Sequence, residues 1–268
     1  MPGIVISIDP IILRLGNFEL RWYSIAIMLA VASAVFIAAR EAKKKGISRE
    51  HIYNLLPWVL LGGLFGARLV HVLDQWGYYA GAPLDIFKVQ QGGLAIWGAL
   101  GGGGVAALVY SRLKSLPMAR LVDALVPALL VAQIIGRFGC IINGDAYGGL
   151  TNLPWGFVYT HPDALIPAGL FGVPTHPYPV YEILWNGTTL IALLRLRRHF
   201  TTDGMMFFSY LSAYATGRLI LTAVRQETVT MLGMQQAQVL ALIIILFSAA
   251  AVIFLRLRRR VEYNKMIS

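Results

Sequence analysis

Leu121 to Gly149 reads LVDALVPALLVAQIIGRFGCIINGDAYGG, an apolar run interrupted late by Arg137 that then breaks up at Asn143, Gly144, Asp145 and a pair of glycines. About 20 predominantly apolar residues in succession suffice to cross a bilayer as a helix. A guanidinium at or near membrane depth is costly, so Arg137 requires a partner and marks a functional position. Its planar fork suits a phosphate, which it grips with two parallel hydrogen bonds. In a lipid-rich chain the commonest phosphate is a lipid head group.

Composition places the whole chain in that setting. The 268 residues are 57% hydrophobic and 13% charged, with mean hydropathy +0.65, where soluble domains carry about 25% charged residues. The chain reads as an all-α integral membrane protein, because lipid-exposed backbone must satisfy its own hydrogen bonds. Seven segments are apolar enough to cross, about 18–39, 53–73, 93–111, 119–141, 178–196, 204–223 and 237–256, and together they make residues 1–268 a single polytopic domain. Sixteen of the 23 Lys and Arg fall in four places: Arg40 to Arg49, Arg112 to Arg120, Arg195 to Arg198, and the tail from Arg256 to Lys265. The opposite loops, near 74–92, 142–177 and 224–236, hold only Lys88 and Arg225. That asymmetry predicts seven transmembrane helices with the N-terminus outside and the C-terminus inside. The loop at 142–177, rich in proline and glycine, is expected to form a small extracytoplasmic cap over the site.

The net charge of +10 does not point to nucleic acid, since the basic residues sit at membrane edges; contact with anionic membrane lipids fits them. The single cysteine, Cys140, excludes an internal disulfide and a thiolate metal cluster. Met1 to Leu20 lacks the pattern of a removable signal peptide. There is neither a zinc-binding pair of histidines nor a Gly-x-x-x-x-Gly-Lys phosphate loop.

Three arginines stand apart from the topological ones. Arg68, Arg137 and Arg218 lie within the second, fourth and sixth apolar segments. Each either binds an anion or pairs with an acid such as Asp74, Asp123 or Glu182. Glycines divide in a similar way. Gly62, Gly63 and Gly66, with Gly98 and Gly101 to Gly104, read as surfaces where helices approach closely. Gly92-Gly93 and those after Asn143 lie where spans meet loops, and there glycine permits turns and close approach of a ligand.

The stretch Gly136 to Gly148 resembles the signature of the prolipoprotein diacylglyceryl transferase family, bacterial membrane enzymes that attach lipid to lipoproteins. Other pieces agree in order across nearly the whole chain: Arg21-Trp22-Tyr23, Gly66-Ala67-Arg68-Leu69, Gly92-Gly93-Leu94-Ala95-Ile96-Trp97-Gly98, His176-Pro177-Tyr178-Pro179-Val180-Tyr181-Glu182, and Tyr214 with Arg218 and Arg225. The resemblance implies transfer of the diacylglyceryl unit of phosphatidylglycerol to the cysteine thiol of a lipobox in a preprolipoprotein signal peptide. The products would be a thioether and glycerol phosphate, and the setting the bacterial cytoplasmic (inner) membrane. No metal or redox cofactor is implied.

On that reading Arg137 and Arg218 clamp the leaving phosphate, with Tyr23 and Asp145 as further catalytic candidates. Asn143, Gly148, Arg68 and Tyr214 complete a phosphatidylglycerol site, supported by His176, Tyr181, Glu182, Trp97 and Arg225. The chain departs from the family pattern at Cys140 (usually asparagine), Ile141 (phenylalanine), Asp145 (glutamate) and Thr222, which replaces an acid one turn beyond Arg218. Trp97 stands where well-studied members carry a histidine proposed as base, and tryptophan accepts no proton at neutral pH. His71, His176, Tyr23, Asp145 or the field of the arginines remain to activate the thiol. Two other readings stay open: a phosphatidylglycerol-binding transporter or translocase, and a catalytically impaired relative.

Overall fold

The computed structural model describes residues 3–16, 18–89, 92–225, 229–231 and 234–267. Of the expected outer loops, residues 90–91 of the one near 74–92 and residues 226–228 and 232–233 of the one near 224–236 lie outside the described residues.

Each of the seven apolar segments lies on a helix. These are α1 (Trp22–Lys44), α2 (Arg49–Asp74), α4 (Ile96–Leu113), α5 (Met118–Asn143), α6 (Tyr178–Arg195), α7 (Met205–Leu221) and α8 (Gln236–Ile267), with a short α3 (Trp76–Gly81) after α2. Four of them, α1, α2, α5 and residues Gln236–Arg259 of α8, are long and apolar enough to cross a membrane. Their outer surfaces suit lipid: Phe65 and Leu246 are each 71% exposed, which would be a liability in water.

Local chemistry sets the ends. Ser48 caps α2 by accepting from the Glu50 N–H, and Gly46, at φ 78°, turns the chain out of α1. Pro177 and Pro179 bracket the start of α6, where a missing N–H is harmless and a fixed φ favours the first turn.

Small strands accompany the helices. β2 (Ile11–Leu15) and β3 (Phe18–Arg21) form an antiparallel hairpin directly before α1. The first apolar segment therefore does not begin at residue 18: Phe18 to Arg21 pairs with Ile11 to Leu15, and the helix starts at Trp22. β1 (Ile4–Ile6) pairs in parallel with β4 (Phe157–Tyr159) in the middle of the 142–177 segment. β5 (Val229–Met231) and β6 (Met234–Gln235) are a third small pair.

The chain divides into two compact units, one of Met1–Ile37 with Leu125–Ser268, the other Ala38–Ala124. In the first, Val126 and Leu130 of α5, Leu193 of α6 and Met206 and Tyr210 of α7 form an apolar core. A second cluster, Phe157, Tyr159 and Ile166 with Ile6, Ile141 and Val180, seats the 142–177 segment on the ends of α5 and α6. Burial pushes the Tyr159 phenol up, and its hydroxyl donates to the Ile141 carbonyl at 3.0 Å.

In the second unit α2 and α4 cross on glycine. A Cβ on Gly66 would lie 2.3 Å from the Gly98 carbonyl oxygen, and one on Gly98 2.1 Å from that of Gly66. Gly101 and Gly104 meet nothing within 4 Å. Gly66→Ala is therefore expected to lower the melting temperature in detergent by about 3 °C or more, whereas Gly101→Ala leaves it unchanged or raises it. Equal effects from the two substitutions would contradict the crossing as described.

Candidate active site

The centre of the site is one carboxylate. Glu182 lies on the first turns of α6, one turn after Tyr178 and on the same face. Both are buried, Glu182 at 5% and Tyr178 at 0% exposure. The Glu182 Oε2 atom pairs with Nε of Arg137, near the end of α5. Its Oε1 atom pairs at 3.3 Å with Nη1 of Arg218, near the end of α7. The same Arg218 nitrogen donates to the Tyr178 hydroxyl at 2.8 Å. The Arg225 guanidinium stands over the Tyr178 ring, 5.3 Å from its centroid. One buried carboxylate thus pairs with two guanidiniums, and a third stands over the ring of the tyrosine that Arg218 also meets. With Nε of Arg137 engaged by Glu182, its terminal nitrogen Nη1 meets the weak acceptor Sγ of Cys140 at 3.6 Å.

The Asn143–Gly149 strip continues from Arg137 into the loop. Asn143 is buried, with its side-chain oxygen accepting from Arg21 Nη1 at 3.3 Å and its carbonyl accepting from Leu165 at 2.9 Å. The amide –NH2 of Asn143 is thereby oriented by Arg21. Gly144 takes φ +77° where a side chain is disfavoured. Gly148 is fixed by the segments around it. Its N–H donates to the His176 carbonyl at 3.0 Å, the next N–H reaches Val224, and a Cβ would sit 2.6 Å from that of His176. Gly148 is where three chain segments meet.

His176 is tied down likewise. Its N–H donates to Gly149, and Nδ1 lies 3.3 Å from the Tyr181 hydroxyl, which also accepts from Trp155 Nε1 at 3.1 Å. Tyr23 is half-buried on the first turn of α1, against Gly139 of α5, where a Cβ would lie 3.2 Å from the Tyr23 Cα. Asp145 is exposed. Tyr214, one turn before Arg218, packs against the α5–α6–α7 core with its ring 6.1 Å from that of Tyr210.

Arg68 and Trp97 belong to the Ala38–Ala124 unit. The Arg68 guanidinium donates to the carbonyls of Ile86 at 2.7 Å, Gly92 at 2.9 Å, Gly93 at 3.0 Å and Asp85, and lies over the Tyr79 ring. Four carbonyls occupy its fork, so it braces Asp85 and Ile86 together with Gly92 and Gly93. Its expected place as a lipid ligand gains no support from this geometry. The Lys88 ammonium and then the Tyr78 hydroxyl hold the Asp85 carboxyl below its ordinary range. Trp97 is 58% exposed and lines an apolar groove of about 750 Å³ on α2 and α4 with Trp58, Phe65 and Gly102.

Two contributors were absent from the candidates named on sequence grounds. Arg21 and Tyr178 stand inside the quoted motifs, but only their distant partners, Asn143 and Arg218, reveal what they do. Among the described residues, Asp9, His161 and Asp163 bring three possible metal-ligand atoms within 4.8 Å. Asp163 already pairs with Arg14 at 2.7 Å and Asp9 accepts from Ile11, so the group clasps the β2–β3 hairpin to the 142–177 segment.

Fold and site together define a helical membrane protein in which arginines from two helices share one buried carboxylate. The family described as prolipoprotein diacylglyceryl transferase matches residues 10–254. The phosphatidylglycerol-prolipoprotein diacylglyceryl transferase of Lysinibacillus sphaericus is 34% identical over 262 residues, 96% of each chain. Proteins of the same name from Pediococcus pentosaceus and Clostridioides difficile are 34% and 32% identical, over 93% and 92% of this chain and 91% and 95% of their own. The chain belongs to the prolipoprotein diacylglyceryl transferase family.

The bracing role of Arg68 is testable by stability. Arg68→Lys keeps the charge but not the fork, losing at least two hydrogen bonds worth roughly 2–4 kcal/mol. The melting temperature in detergent is expected to fall by about 5 °C or more, and an unchanged value would refute the role.

Proposed function

We propose that this chain transfers the diacylglyceryl group of phosphatidylglycerol to the cysteine thiol of a preprolipoprotein lipobox, the first step of lipoprotein maturation. The sulfur forms a bond to the glyceryl carbon that carries the phosphate. The C–O bond to that phosphate breaks, and glycerol phosphate leaves with the electron pair. The thiol proton passes to water or to the departing phosphate before or during attack, so atoms and charge balance.

The observation that carries this reading is the convergence of Arg137 and Arg218 on one buried carboxylate. Negative charge grows on the leaving phosphate in the transition state, and fixed guanidiniums stabilise it without reorganising. Asn143, oriented by Arg21, supplies a neutral donor. Tyr23 and Asp145 lie on the same unit and remain the candidates for the thiol side. Gly148 and His176 hold the loops, Tyr181 ties His176 to Trp155, and Tyr214 packs on the core one turn before Arg218.

The membrane plan belongs to the same proposal. All seven long helices span, the basic loops face the cytoplasm, and the 142–177 cap lies outside, where an exported signal peptide arrives. The protein is then a multi-pass resident of the bacterial cytoplasmic membrane. Lipid reaches the cluster sideways between helices, and the lipidated product leaves by its own solubility in the bilayer.

The test is incubation of purified protein with phosphatidylglycerol vesicles and a lipobox peptide, followed by mass analysis of the peptide thiol. A mass increase by one diacylglyceryl unit is expected. Bound lipid with an unmodified thiol would leave only a lipid-binding protein. Arg137→Lys is expected to lose at least 100-fold in turnover, an order of magnitude set by loss of one transition-state donor; near-normal turnover would sink the clamp. Cys140→Ser should keep turnover within about threefold, since the nucleophile belongs to the substrate; loss of all product would make the protein thiol a participant.

A further inference from the structure

The β2–β3 hairpin is inverted relative to one made for water. Residues directly opposite in an antiparallel pair share a face, and alternate positions along a strand fall on opposite faces. Leu13 pairs with Leu20 and Leu15 with Phe18, so four apolar side chains share one face; Ile11, Arg14, Glu19 and Arg21 share the other. The polar face is the docked one. Arg14 pairs with Asp163 at 2.7 Å, and Arg21 Nη1 donates to the Asn143 side-chain oxygen and the Asp163 carbonyl, each at 3.3 Å. Glu19 pairs with both arginines, and Ile11 is buried among them. On the apolar face Leu13 is exposed, and Leu15 and Phe18 are 63% and 60% exposed. A sheet with one face in water turns the polar side outward.

We propose that the Leu13, Leu15, Phe18 and Leu20 face is a membrane-docking surface, seated in the outer leaflet among the lipids that surround the start of α1. The occupant follows from continuity with that helix. β3 ends at Arg21 and α1 opens at Trp22 with no linker between them, and the Trp22 N–H donates to the Pro10 carbonyl at 3.1 Å, which fixes the base of the hairpin on the first turn. α1 is long and apolar enough to cross a membrane, and Trp22 is exposed at its end, the place of interfacial aromatic side chains. The apolar face thus begins where a lipid-facing helix begins. A two-stranded ribbon also has two edges whose backbone groups need partners, which holds it at the hydrated interface and out of the hydrocarbon core. Because Arg21 of the same hairpin meets Asn143, the docked hairpin sets the depth of the loop strip that follows Arg137. The inference rests on α1 crossing with its first turn outside, as in the proposed membrane plan, and on no part of the transfer chemistry.

Spin labels read the depth directly. In a Cys140→Ser background, Leu15→Cys and Phe18→Cys are labelled in phosphatidylglycerol–phosphatidylethanolamine vesicles and compared with Leu29→Cys on the exposed side of α1 and Asn152→Cys on the exposed surface of the 142–177 segment. Collision with a water-soluble nickel chelate at Leu15 and Phe18 is expected to be about fivefold or more below that at Asn152, with oxygen collision at least as high, the pattern of groups a few ångströms below the head groups. Nickel access equal to that at Asn152 puts the hairpin in water and overturns the proposal. Labels shielded from both reagents also overturn it, because a protein surface, a second copy or an added peptide strand, then covers the face. If the Cys140→Ser background fails to fold, Phe18→Trp in the otherwise native chain is expected to add emission that phosphatidylglycerol brominated on its acyl chains quenches; no quenching beyond that of wild type overturns the proposal. Nickel access at Leu29 removes the spanning α1 and this inference together, whereas Leu29 in lipid with Leu15 in water removes the inference alone.

Discussion

A buried carboxylate between two guanidiniums holds the active end of this molecule together. Glu182 is 5% exposed, and an ionised acid at that depth costs several kcal/mol unless it is paired. Pairing with Arg137 and Arg218 meets that need and ties the ends of α5, α6 and α7 to one point. The same carboxylate makes it tolerable for the arginines to lie close together. Arg225, over the ring of the tyrosine that Arg218 also meets, brings a third guanidinium to the same end of the unit.

What the sequence makes legible follows the range of the interactions involved. Helix positions depend on local apolar runs, and each of the seven segments falls on a helix, with most ends a few residues off. The hairpin before α1 went unread because Phe18 and Leu20 look like a continuation of the apolar span that follows. The parallel pairing of Ile4–Ile6 with Phe157–Tyr159 joins strands of three residues across half the chain, and strands so short carry no periodicity to detect. Site residues show the same divide. Arg68, Arg137 and Arg218 are equivalent as letters in apolar helices, yet one of them faces backbone carbonyls and two face a carboxylate. Carbonyls carry no sequence signal, so the distinction exists only in three dimensions.

Glycine repeats the lesson within a single motif type. Gly66, Gly98 and Gly102 are required by the α2–α4 crossing, while a Cβ at Gly101 or Gly104 in the same run would meet nothing within 4 Å. Gly148 differs again, accommodating three chain segments at the mouth of α6. Composition identifies glycine-rich surfaces as places of close approach. It does not say which glycine is approached, because that depends on the helical phase of the partner.

The thiol side raises a question of magnitude. Trp97 cannot accept a proton, so a base at that position is absent and the field must be weighed instead. At about 5 Å and an effective dielectric near 20 one positive charge is worth roughly 3 kcal/mol to a thiolate, and burial of the thiol and neighbouring carboxylates subtract from it. The guanidiniums paired with Glu182 and the depth of that pair therefore act on a nearby thiol in opposite directions.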